Sequence, residues 1–183
     1  MTQSPPPNRF RNLIIALAAI TLSVAIFFGF QTQTNSTSLA AQSAQAIPFS
    51  QALDNGKPTL TEFYADWCTS CQAMAPEIAQ LKKQYGNSVN FVMLNVDNSK
   101  WLPEILNYRV DGIPHFVFFD SHGQAIAQSI GEQPQSILKA NLEALIADKS
   151  LPYANATGQT SDFNAPVSGN PDADPRSHSV FSK

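Results

Sequence analysis

Between Arg11 and Asp54 the chain carries no charged side chain, and inside that gap Leu13–Phe30 reads LIIALAAITLSVAIFFGF, an apolar run of 18 residues. At about 1.5 Å per helical residue the run spans roughly 27 Å, close to the ~30 Å hydrocarbon thickness of a bilayer. Residues 13–30 are therefore expected to form a membrane-spanning anchor. The rival reading is a secretory signal, whose apolar core is about 7–15 residues long and ends just before a small-residue cleavage site. Here the one good small-x-small triplet, Ala44-Gln45-Ala46, lies sixteen residues beyond Phe30, which favours an uncleaved anchor. Arg9 and Arg11 precede the run and no charge follows it until Asp54. The positive-inside rule then leaves residues 1–12 in the cytoplasm and carries the rest of the chain across the membrane.

What remains of the 183 residues is enough for one folded domain at roughly 150 residues per domain. Residues 31–46 read as an uncharged linker. Residues 151–183 are dense in Pro, Ser, Asn, Asp and Gly without apolar period, and read as a flexible tail. The folded unit is then residues 47–150. Eleven basic against fourteen acidic side chains, net charge −3, with no basic cluster beyond Lys82-Lys83, argue against nucleic-acid binding by counterion release.

Within residues 47–150 the order predicted is αβαβαββα. A short helix over 49–54 stops at Asn55-Gly56, and TLTEFY over 59–64 is a buried-type strand. A helix over 69–85 contains Pro76, and a second strand covers 89–96. A short helix at 101–108 follows, then strands at 115–119 and 125–130 forming a hairpin. A last amphipathic helix after Pro134 turns Ile137, Leu138, Leu142, Leu145 and Ile146 to the core. Alternating strands and helices followed by a hairpin predict an α/β fold, a mixed sheet of four or more strands flanked by helices.

The chain has two cysteines, Cys68 and Cys71. That excludes a disulfide-stapled scaffold and any zinc site of four cysteines. Both stand where a strand runs into a helix. Cys68 at the helix start meets unpaired backbone N–H groups and the positive end of the helix dipole, which favour a thiolate and the nucleophile's role. Cys71, one turn further in and more buried, suits the resolving role. Thiol–disulfide exchange is the chemistry this arrangement predicts, with Cys68 attacking a partner disulfide and Cys71 breaking the mixed disulfide.

The strand FYADW before the pair, the helix proline Pro76, NVD at Asn95-Val96-Asp97 and GIP at Gly112-Ile113-Pro114 together resemble the thioredoxin superfamily across residues 47–150. The resemblance implies a cis Ile113–Pro114 bond, with the backbone of Ile113 offered as a short strand edge to a partner's extended chain. It also implies that Glu62 is a buried acid shuttling a proton to or from Cys71, against the plainer reading of an exposed strand carboxylate. Trp67 is expected to shield the site and shape a docking surface, and Asp66 to be solvated. The sequence departs from the family in Thr69-Ser70 between the cysteines, in Gln72 and Met93 where lysines are common, and in His115 after the proline. Met93 leaves Glu62 without its usual lysine.

With the anchor and YRVDGIPHF at 108–116, the chain most resembles the membrane-anchored thioredoxin-like proteins of cyanobacteria and chloroplast thylakoids. That likeness implies a disulfide reductase in the thylakoid lumen or periplasm, re-reduced by a CcdA-type transmembrane thiol carrier. Its partners would be protein disulfides of apocytochrome c or of cytochrome b6f assembly, with no cofactor. A disulfide oxidase or isomerase is the alternative within the same chemistry. A copper-delivery module using Cys68, Cys71 and His115 is the alternative from another class, and a redox-inert binding scaffold a third.

Overall fold

A computed structural model describes residues 9–162. They fall into two units, one ending at Thr37 and one beginning at Ser38. The first holds helix α1 (Arg9–Thr37). Its segment Phe10–Phe28, 19 residues of mean hydropathy 2.0, is long and apolar enough to cross a membrane.

The second unit is a four-stranded mixed sheet with strands β1 (Thr59–Tyr64), β2 (Asn90–Asn95), β4 (His115–Phe119) and β5 (Ala125–Ile130) in the order β2-β1-β4-β5. Strand β1 is central and buried along its whole length, as its unbroken run of strand-forming residues demands. It pairs parallel with β2 (Glu62 opposite Met93) and antiparallel with β4 (Glu62 opposite Phe116). The hairpin β4–β5 closes through a turn in which Gly123 takes φ +74°. Helices α3 (Phe49–Asp54), α4 (Thr69–Tyr85), α5 (Leu102–Asn107) and α6 (Gln135–Ile146) complete the predicted order, each within two residues of its expected bounds. Phe63, Phe116, Phe118 and Phe119 are fully buried, each worth about 1.5–3 kcal/mol of burial.

Three differences from the sequence reading concern the extent of the folded unit and its core. The stretch expected as linker contains α2 (Leu39–Ala44), capped by Ser38, with Leu39 and Gln42 buried. Gln42 donates from Nε2 to the carbonyl of Ala75, 2.7 Å away, on α4. The folded unit therefore begins eight residues or so before Ile47, because an uncharged stretch with one Leu and one well-placed Gln is enough to dock a six-residue helix.

The second difference is the tail. Leu151 is buried, and the buried Asn141 of α6 brackets Tyr153, donating to its carbonyl and accepting from its N–H, both at 3.0 Å. The chain then follows the open edge of β5. Gln128 N–H donates to Ala154 and Ile130 N–H to Ala156, while Gly158 N–H donates to Ile130. It ends as β6 (Ser161–Asp162), antiparallel to the short strand β3 (Gly112–Ile113). Residues 151–162 are thus fixed by backbone hydrogen bonds, which need no apolar side chains. The remainder of the expected tail, 163–183, lies outside the described residues, as do residues 1–8.

Third, Ile146 is 40 % exposed, and the core position next to Leu142 is taken by Asn141, whose amide holds the strap of residues 151–162 instead of joining the hydrophobic face.

Candidate redox site

The CxxC segment forms because β1 ends at Tyr64 and α4 starts at Thr69 with Cys68 as its N-cap. The sulfur of Cys68 accepts from the N–H of Cys71 at 3.0 Å, doing what a Ser or Asp cap oxygen does elsewhere. The two cysteines are joined as a disulfide, Cα–Cα 5.3 Å. Both belong to one buried cluster with Phe63, Ala65, Ala75, Met93 and Ile113. The expectation that Cys71 would be the more buried of the two is corrected here, since Cys68 is fully buried as well. In the oxidised chain the Cys68 sulfur is spent on the disulfide and folded inward against that cluster.

Ile113–Pro114 is cis. Its neighbour His115 is buried, with Nε2 2.8 Å from Gln128 Oε1 and its ring edge-on to Phe63. Burial lowers its pKa, opposed by the Gln128 hydrogen bond. The Nε2 edge of the ring is taken by Gln128. Among the described residues Nδ1 is buried without a hydrogen-bond partner, and no group of three or more potential metal ligands occurs.

Glu62 is buried, so the exposed-carboxylate reading falls. Burial pushes its pKa up to about 7, against the attraction of Lys82. Its Oε1 accepts no hydrogen bond from any described residue. Lys82 corrects a second expectation. Met93 does occupy the position beside Glu62 on β2, but Lys82 reaches in from α4 with Nζ 3.4 Å from Met93 Sδ. The charge missing from the strand is supplied by the helix. Burial draws Lys82 down to about 8, opposed by Glu62. Lys82 stands in the last turn of α4, a position where a cation ordinarily serves only the helix end. Its spacing from Ile78, on the same helix face, was the available signal.

Trp67 is 48 % exposed and donates from Nε1 to Asp97, 3.0 Å at the nearer oxygen, while Asp66 is exposed. Gln72, in place of the common lysine, donates to the carbonyl of Asp66 and ties the loop before Cys68 to the first turn of α4. Thr69, next to Cys68, meets Ser161 of β6 with hydroxyls 3.5 Å apart. This last contact lay outside any reading of the sequence, because it depends on where the tail goes.

Known proteins agree with this geometry. The thioredoxin family model matches residues 40–144, beginning inside α2. A thiol:disulfide interchange protein TxlA homolog of Synechocystis sp. is 62 % identical over 94 % of this chain and 96 % of its own length. The thiol:disulfide interchange protein TxlA of Synechococcus elongatus is 50 % identical over 94 % of this chain and 92 % of its own. The chloroplastic thioredoxin-like protein HCF164 of Arabidopsis thaliana is 43 % identical over 85 % of this chain, which spans 59 % of that relative. The chain belongs to the thioredoxin family and is a thiol–disulfide oxidoreductase.

Proposed function

We propose that the chain is a membrane-anchored reductase of protein disulfides, with Cys68 as nucleophile, Cys71 as resolving thiol and Glu62 as proton shuttle. The observation that carries the reading is the Cys68–Cys71 disulfide at the N-terminus of α4, with the Cys71 N–H aimed at the Cys68 sulfur and a buried acid of raised pKa on the adjoining strand. In the reduced chain the same N–H and the helix dipole stabilise a Cys68 thiolate. That thiolate attacks one sulfur of the partner's disulfide. The partner's S–S bond breaks, a Cys68–partner bond forms, and the partner's other sulfur leaves as thiolate and takes a proton. Cys71 then gives its proton to ionised Glu62 and attacks Cys68, releasing the second partner thiol. Two electrons pass to the partner, and the Cys68–Cys71 disulfide is the product.

The edge of Ile113, with exposed Trp67 beside the site, would take the partner's extended chain by strand addition. Residues 13–30 would hold the domain on the thylakoid-lumenal or periplasmic side, with the N-terminus cytoplasmic. There a CcdA-type transmembrane thiol carrier would restore the thiols. Apocytochrome c or cytochrome b6f assembly components fit as partners, since haem attachment in an oxidising compartment needs two thiols kept apart. The reduction potential of the couple, equilibrated against glutathione, tests the direction: a value near −270 mV is expected, and one near −120 mV would make the protein an oxidase.

A further inference from the structure

The segment 151–162 takes no part in the exchange just described, yet the fold positions it with care. Asn141 clamps Tyr153, and the β5 edge holds residues 154–158. Glu132 N–H then donates to Gln159 at 2.8 Å. Gly158 presses so closely on Glu132 that a Cβ there would stand 1.8 Å from the Glu132 carbonyl oxygen, so only glycine allows this approach. From that point the chain crosses to β3. Ser161 pairs with Ile113 and Asp162 with Gly112, and the Thr160 side chain lies over Gly112, where a Cβ would come within 3.1 Å of it. Ser161 also meets Thr69, the residue after Cys68.

An extended chain docking on Ile113 needs the backbone edge that Ser161 already holds. Cys68, moreover, is fully buried, and the residue after it meets Ser161. We propose that Thr160–Asp162 is a built-in occupant of the partner-docking edge, a specificity gate that an incoming polypeptide must displace before its disulfide reaches Cys68. The proposal rests on the reading that partners dock at Ile113. The occupant is suited to displacement. Its pairing is two residues long, Gln159 and Thr160 are exposed, and its anchorage at Asn141 and β5 is separate from the part that blocks. Segments held by a few exposed backbone hydrogen bonds open locally without global unfolding. The tether keeps the occupant at high effective concentration, so only partners with good strand complementarity compete, while a small disulfide that needs no edge is barely discriminated against.

Two measurements on the full chain test this. In the first, Ser161→Cys is combined with Cys71→Ser and exposed to oxidised glutathione. Cys68 thiolate attacks glutathione disulfide, releasing one glutathione. The thiol introduced at position 161 then attacks the Cys68 sulfur and releases the second, leaving an intramolecular disulfide between positions 68 and 161. It should close at least about tenfold faster than in the Cys71→Ser chain carrying Asn155→Cys instead, whose site faces β5. Equal rates would overturn the placement. In the second, Ser161→Pro, which a strand pairing tolerates poorly, should lower KM for a protein disulfide such as insulin about five- to tenfold with kcat little changed. Reduction of a small aromatic disulfide should stay within about twofold. An unchanged KM for insulin would overturn the gate even if the crosslink forms. A wild-type chain that reduces neither substrate would instead refute the reductase reading, and the crosslinking rate would still report where the strap lies.

Discussion

The two segments that meet at Thr69 and Ser161 are built by opposite means. The cysteine loop is embedded in apolar side chains, with Cys68, Cys71, Ala75, Met93 and Ile113 all buried together. The strap 151–162 buries one large apolar residue, Leu151, and otherwise lives on main-chain hydrogen bonds and one buried amide, Asn141. The first is rigid because opening it exposes hydrocarbon. Opening the second past Tyr153 exposes little hydrocarbon, so its free end is expected to open more readily. Under the reading proposed above, a buried redox pair beside a displaceable segment is the arrangement a selective reductase needs.

The sharpest way to break this contrast is to remove the proposed nucleophile. Cys68→Ser should lower turnover of a protein disulfide by about 10³-fold or more, whereas no substitution in the strap should lower it at all. A Cys68→Ser chain with appreciable activity in the insulin assay would mean that the buried pair is not the working centre.

Next in size is Glu62. The folded chain keeps its proton to about pH 7, whereas the ordinary value is 4.5. Between those values the unfolded state binds fewer protons, so stability should fall as pH rises, by about 3 kcal/mol over the window. Glu62→Gln should flatten that fall in urea unfolding compared at about pH 5 and about pH 7.5, and should slow resolution of the mixed disulfide by about 10²-fold. A wild-type stability independent of pH across this range would remove the case for a buried protonated acid.

Asn141→Ala should cost about 1–3 kcal/mol by orphaning the N–H and carbonyl of Tyr153. Hydrogen exchange should speed up in residues 151–162 and leave β1 unchanged. Uniform acceleration would show that strap and core open together, against the contrast drawn above. The smallest effect belongs to Lys82→Gln, which removes the cation that opposes burial at Glu62. The carboxyl should then hold its proton to still higher pH, followed through its side-chain NMR signal, with little change in midpoint of unfolding at low pH.

How much of this the sequence disclosed follows the same division. Elements built on side-chain pattern were legible: β1 from TLTEFY, the hairpin of β4 and β5, and the cysteines at the strand–helix junction. The cis bond at Pro114 was reached through family resemblance, as no local property of GIP dictates it. What stayed hidden was held by backbone or by partners distant in sequence. The strap is polar in composition, and its one clue was Asn141 inside the apolar stripe of α6. The role of Lys82 depends on residues distant in sequence, since only the placement of Met93 beside Glu62 shows what the lysine reaches. Helix α2 has too short an apolar face for periodicity to reveal.

The central claim, attack by Cys68 and release by Cys71, is tested most directly by trapping. With Cys71→Ser in native membranes, partner proteins should accumulate as mixed disulfides on Cys68 that dissolve on reduction and vanish when Cys68→Ser is added. Equal capture with and without Cys68, or no captured partner while the Cys71→Ser chain keeps wild-type turnover, would contradict the account.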